Sequence, residues 1–212
     1  MGAMRVARAS LAQETVLADH VSQEGPTVTH VRGILLANGL QNLRQFGLYD
    51  AYCRLIPANH LGALQELVAT TWLPVEHALA HYETCDRLPI TAAQYAEIGS
   101  RQADRVRDTF LGVTLRRARS MGLDGLTYSL SQVGRLHDRI YRGGGCAAFD
   151  VGPTDVIFEV SGFPFATTHA FRSGWLAYAQ SMSALLVRTS YVKSARPRVL
   201  HPQRLALALT WV

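Results

Sequence analysis

Two hydrophobic rhythms divide the chain. From His30 to about Arg142 apolar residues return every three or four positions, the period of helices with one buried face. Beyond Gly143-Gly144-Gly145 they alternate, the period of strands. In the first part Ile34, Leu35, Leu40, Leu43, Phe46, Leu48, Tyr52 and Leu55 predict two helices parted at Gly47. Asn59 is placed to cap a third, carrying Leu61, Leu64, Leu67 and Val68. Trp72-Leu73-Pro74 reads as a helix start, because proline in the first turn gives up no hydrogen bond; that helix runs through His77 and His81 to about Glu83. Thr91-Ala92-Ala93-Gln94 has the form of a capping box and opens a long helix over about 92–120, with Tyr95, Ile98, Val106, Phe110 and Val113 on one stripe. Tyr128, Leu130, Val133, Leu136 and Ile140 predict one more helix before the glycines.

After the glycines, residues 146–151 and 155–161 form a hairpin across Gly152-Pro153-Thr154. Thr167 or Thr168 caps a helix through Phe171, Trp175, Leu176 and Tyr178, and strands over about 185–193 and 205–212 follow. Leu205, Leu207, Leu209 and Trp211 alternate with Ala206, Ala208 and Thr210, as in a sheet covered on one face. The fold class is therefore α+β: an N-terminal helical layer followed by a small antiparallel four-stranded sheet in the order β-β-α-β-β. Residues 1–26, ending in Gly25-Pro26, are expected to form a short helix or a mobile arm, and residues 27–212 a single α+β domain.

Composition adds a compartment and removes some partners. With 48% hydrophobic and 17% charged residues in a chain of 212, there is ample apolar material for a core. The net charge of +5 is modest and forms no stripe with interleaved aromatics, which argues against a nucleic-acid partner. Cys53, Cys85 and Cys146 are odd in number and lack CxxC spacing, as expected of reduced thiols in a cytoplasmic protein. No run approaches the roughly 18 apolar residues of a membrane span, and Met1 to Arg5 is not followed by the apolar core of a secretory leader.

Several residue groups carry candidate chemistry. His77 and His81, four apart on one helix with Glu76 and Glu83 nearby, have the spacing of a helical metal or haem site, although the HExxH arrangement is absent. Arg135, His137, Arg139 and Arg142 run into the triple glycine and make a basic helix end for an anion; phosphate-binding glycine loops, however, precede their helix rather than follow it. Tyr95, Phe110, Trp175 and Trp211 are placed to line an apolar pocket between helices and sheet, or else to fill the core there. His81 lies one turn from Cys85, the spacing of a thiol–imidazole pair, while GxSxG is missing.

Trp72-Leu73-Pro74, Ile98-Gly99-Ser100-Arg101, Thr109-Phe110-Leu111-Gly112 and Phe171-Arg172-Ser173-Gly174 together resemble a family of uncharacterised myxobacterial paralogues over about 31–212. More distantly, helices followed by a sheet with one intervening helix resemble the group of haem nitric-oxide-binding, 4-vinyl-reductase and transport-particle domains. That resemblance implies a ligand sensor or assembly module rather than turnover. Haem members of the group carry Tyr-x-Ser-x-Arg and a helical proximal histidine. The segment Tyr128-Ser129-Leu130-Ser131-Gln132-Val133-Gly134-Arg135 has those residue types at another spacing. The expected function is a non-enzymatic binding or interaction domain for a small apolar ligand or a protein partner, a second copy of the chain included. The alternatives are a haem- or metal-dependent sensor through His77 or His81, and an enzyme built on a cysteine or a histidine–carboxylate pair.

Overall fold

A computed structural model describes residues 15–19, 27–107, 113, 130 and 133–212. Among those residues it is α+β, with helices before and after the strands of 141–161 and two antiparallel sheets. Helix α1 spans Gly33–Gln45 and turns Leu36, Leu40 and Leu43 inward; Gly47, at φ +69°, ends it and lets α2, Tyr49–Leu55, turn back with Tyr52 fully buried. Helix α3 is Ala58–Gln65. Asn59 does not cap it: extended Pro57 precedes the first turn, and the Asn59 amide lies on the His60 ring at 3.2 Å instead.

Trp72–Pro74 is a strand, β3, not a helix start. It pairs with β2, His30–Arg32, which pairs on its other side with β4, Tyr141–Arg142. Proline is tolerated at the strand's end, where its missing N–H interrupts no ladder. Helix α4, Val75–Asp86, begins only after it. The capping box forms: Thr91 Oγ1 accepts from the Gln94 backbone N–H at 3.2 Å and Gln94 Oε1 from the Thr91 N–H at 2.8 Å. It opens α5, Ala92–Arg107. Of the expected continuation of this helix to 120, Val113 is described, helical but 51% exposed rather than on a buried stripe; Phe110 lies outside the described residues. Gly99 is where α5 crosses the last helix, since a Cβ there would lie 2.3 Å from the Ala177 carbonyl oxygen.

Helix α6, Val133–Ile140, leads through β4 into β5, Gly145–Gly152, and β6, Asp155–Ser161, paired with Cys146 opposite Val160. A 3₁₀ turn at Pro164–Thr167 precedes α7, His169–Leu186. Strands β7, Ser190–Ala195, and β8, Leu205–Trp211, complete the sheet. The strand expected over 185–193 starts later because Leu185 and Leu186 still belong to the helix and pack on the second core cluster.

The large sheet has five strands rather than four, in the order β1-β5-β6-β8-β7. The additional edge is β1, Thr15–Asp19, which pairs with β5 from inside the span expected to be an arm. An unpaired β5 edge would expose a row of backbone donors and acceptors, and this segment satisfies them. Nor is the sheet bare on its second face. Ala206 and Glu159, opposite each other there, are buried; Glu159 accepts from the Arg198 N–H at 2.8 Å, and the Arg198 guanidinium lies 3.3 Å above the Phe149 ring. The loop between β7 and β8 therefore covers that end.

Candidate functional site

The space between α4, α7 and the sheet is packed with aromatic rings. Phe165 and Phe171 meet at 4.7 Å and 73°, Tyr141 and Phe163 at 4.7 Å and 68°, and Phe158 stacks on Trp175 at 5.0 Å, distances at which aromatic pairs attract beyond their burial. Trp175 packs against both core clusters, Tyr95 belongs to the first against His169, and Trp211 to the second with Ala148 and Leu207. Of the expected pocket-lining residues, Tyr95 and Trp211 are buried in different clusters, Trp175 is partly buried against both, and Phe110 lies outside the described residues.

His77 and His81 point to different neighbours despite their spacing. His81 is buried; its Nδ1 lies 3.0 Å from the Tyr52 hydroxyl and its Nε2 3.8 Å from Cys85 Sγ. Burial lowers its pKa to about 4, so the ring is neutral. Cys85 is pushed up to about 12, first by burial and then by the Asp86 charge, so the pair holds no thiolate at neutral pH. His77 is half-buried at the surface, where its Nδ1 meets His60 Nδ1 at 3.1 Å. Burial, then His60, lowers the His77 pKa, with Glu76 opposing them. Sequence offered no sign that His60 is its partner, since the two sit on separate helices 17 positions apart. Among the described residues no group of three or more His, Cys, Asp or Glu side chains is arranged to hold a metal ion.

The basic helix end divides in the same way. Arg135 and Arg139 stand exposed on α6, whereas the Arg142 guanidinium lies 4.5 Å from the centroid of Trp72, which also carries Arg32 at 5.0 Å. The glycines that follow are positioned against the chain itself. Gly143 and Gly144 have φ of +79° and +68°, and a Cβ on Gly143 would lie 2.4 Å from the Thr27 carbonyl oxygen. The Gly143 carbonyl is 3.0 Å from His137 Nε2. This backbone is engaged within the fold.

An open cleft of about 430 Å³ lies elsewhere, between the start of α7 and the loop joining β7 to β8. Thr167, Arg172, His201 and Arg204 supply its polar groups; Pro197, Leu200 and Pro202 supply an apolar wall. Leu200 is 65% exposed, so its side chain is open to solvent on this wall. Asp86 holds the helix end beside the cleft: its carboxylate accepts from the His169 N–H at 3.0 Å and the Ala170 N–H at 2.6 Å. Sequence reading passed over these residues because the cleft is assembled from a helix start and a proline-rich loop with no motif in either.

Neither a family model nor a curated protein matches the chain. Solved structures do. An unliganded Fe(II) H-NOX protein from K. algicida is similar at a TM-score of 0.58 and 9% identity, over 85% of this chain and 96% of that one. The chain has the H-NOX fold. An H-NOX protein studied for haem distortion matches at a TM-score of 0.57 and 10% identity, over 85% and 94% of the two chains. The H-NOX protein of T. Tengcongensis matches at 0.52 and 10%, over 85% and 97%. At such identities the likeness is one of architecture.

The histidines expected to serve a haem do not fit one in this H-NOX fold. A Cβ on Gly39 would lie 2.6 Å from His81 Nε2, so the α1 backbone closes over the nitrogen an iron would use, and Tyr52 holds the other. His77 is turned to His60. No helix among the described residues is long and apolar enough to cross a membrane.

Proposed function

We propose that the chain is a non-enzymatic sensor or adaptor domain that binds a small, partly apolar anion in the cleft of Arg172, His201 and Arg204. The observation that carries this reading is the contrast between an aromatic-filled interior and an open, cation-lined cleft with an apolar wall. Guanidinium groups pair with carboxylate or phosphate oxygens, and Leu200, Pro197 and Pro202 suit a short hydrocarbon portion. Among the described residues the cleft is lined by cationic, hydroxyl and apolar side chains and by no cysteine, so binding rather than turnover is the role proposed. Titration with octanoate and with inorganic phosphate, followed by NMR, tests it. Saturable shifts at Arg172, Leu200 and His201 that disappear in Arg172→Ala support the reading; an unresponsive cleft with both probes overturns it.

A second reading, a haem-dependent sensor, is favoured by the H-NOX neighbours, two of which are described through haem distortion and an Fe(II) state. It requires α1 and α4 to part at Gly39 and His81 for iron to reach the ring. Purified protein mixed with haemin gives the answer: a Soret band lost in His81→Ala supports it, and free-haemin absorbance alone removes it.

A further inference from the structure

Helices α3 and α4 bring two imidazoles together with like atoms facing. His60 Nδ1 and His77 Nδ1 are 3.1 Å apart, and the rings stand nearly perpendicular at 88° with centroids 5.0 Å apart. Both residues are half-buried, so the rings are fixed by packing yet reachable from solvent. Without another ligand the two nitrogens share one proton: one donates, the other accepts.

We infer that His60 and His77 form a binding site for a divalent transition-metal ion that clips α3 to α4. Metal–imidazole bonds of about 2.0–2.1 Å place cis nitrogens about 2.9 Å apart at a right angle and about 3.3 Å apart in a tetrahedron. The observed separation lies between these values, so an ion replaces the shared proton with a small rotation of each ring.

The surroundings favour that exchange. The Asn59 amide lies 3.2 Å from His60 Nε2. That contact holds the His60 ring from its outer side, as the contacts to the second nitrogen of metal-bound histidines do. Glu76 is exposed beside His77, close enough for its charge to act on that ring and favour a bound cation, and water fills the remaining positions. Two imidazole nitrogens select the borderline ions, Zn²⁺, Ni²⁺ or Cu²⁺, over Mg²⁺ or Ca²⁺. The site differs from the His77–His81 pair that the sequence put forward, because the helix turns those two rings to different neighbours. It is independent of the anion cleft.

The experiment is titration of the metal-free full chain with Zn²⁺ by calorimetry, and with Cu²⁺ by electron paramagnetic resonance. One ion per chain is expected, with two nitrogen couplings for Cu²⁺ and a thermal midpoint that rises with Zn²⁺. His60→Ala and His77→Ala are each expected to weaken binding roughly tenfold or more, while His169→Ala leaves it unchanged. Imidazole ¹⁵N spectra of the unaltered protein give a readout that does not depend on the variants folding: Zn²⁺ must move the Nδ1 signals of His60 and His77 together. Absence of stoichiometric binding, binding indifferent to both substitutions, or Zn²⁺-induced shifts confined to other histidines would overturn the assignment.

Discussion

Gly39 on α1 lies directly against the edge of His81 on α4, so that a Cβ added at position 39 would come within 2.6 Å of His81 Nε2. The ring cannot swing away, because it is buried and hydrogen-bonded to Tyr52. Gly39→Ala is therefore expected to destabilise the fold by about 1–3 kcal/mol, the usual cost of overpacking a filled core, despite alanine's better helix propensity. Gly62 on α3 is the contrast: nothing lies within 4 Å of its Cβ position. Gly62→Ala should stabilise by about 0.5–1 kcal/mol. Urea denaturation of the two variants checks both signs, and a stabilising Gly39→Ala would show that α1 and α4 are not closed over His81.

The same burial sets a pH dependence. His81 has a folded pKa of about 4 against 6.5 when unfolded, so between those values the unfolded chain binds the extra proton. Stability from this group is fully present above about pH 6.5 and declines as pH falls toward about 4, by about 3 kcal/mol in total. The groups facing the ring, Tyr52, Tyr82 and Cys85, are neutral across that window, since their pKa values are all raised. Denaturation midpoints measured from pH 4.5 to 7.5 should fall more steeply for the parent chain than for His81→Gln. Parallel curves would sink the assignment.

Local signals in the chain were legible, and long-range ones were not. The Gly47 break, the Thr91–Gln94 capping box, the Asp155–Ser161 strand and the Thr168 cap were all readable because each is decided by residues within one turn. Trp72–Pro74 was misread because its strand identity comes from pairing with His30–Arg32, forty residues earlier in the chain, and periodicity over three residues carries no such information. The fifth strand failed for the same reason: Thr15–Asp19 becomes a strand only through the β5 edge. For the candidate residues, spacing along the chain does not tell which side chains meet in space. His77 was singled out on its spacing to His81, yet its partner is His60; the arginines near the glycines drew notice, yet the cleft belongs to Arg172 and Arg204.

Thiol chemistry offers a direct check on the non-enzymatic reading. Cys85 and Cys146 are buried, and both are pushed up to about 12, chiefly by that burial. Only a thiolate reacts quickly with a disulfide reagent, so neither should be modified in the native state at pH 8. Cys53 is partly accessible. A native stoichiometry of one fast thiol, rising to three in denaturant, is expected and is abolished to zero fast thiols by Cys53→Ser. Rapid labelling of Cys85 would revive a cysteine enzyme.

Asp86 connects two helices distant in sequence, and its loss should be felt at the cleft. Its two carboxylate oxygens each accept a backbone N–H at the start of α7, alongside the Thr168 hydroxyl that receives the Phe171 N–H at 3.4 Å. A negative charge at a helix N-terminus also meets the positive end of the helix dipole. Asp86→Ala should cost about 1–2 kcal/mol through the lost cap, and Asp86→Asn less, because its amide oxygen can still accept. The consequence for binding is more specific than the loss of stability. Arg172 lies four residues into this helix and Thr167 just before it, so a frayed first turn moves both away from His201 and Arg204 across the cleft. At a temperature where Asp86→Ala remains folded, amide exchange at 169–172 should quicken and octanoate should bind more weakly. Faster exchange with unaltered octanoate affinity would place the ligand away from the start of α7.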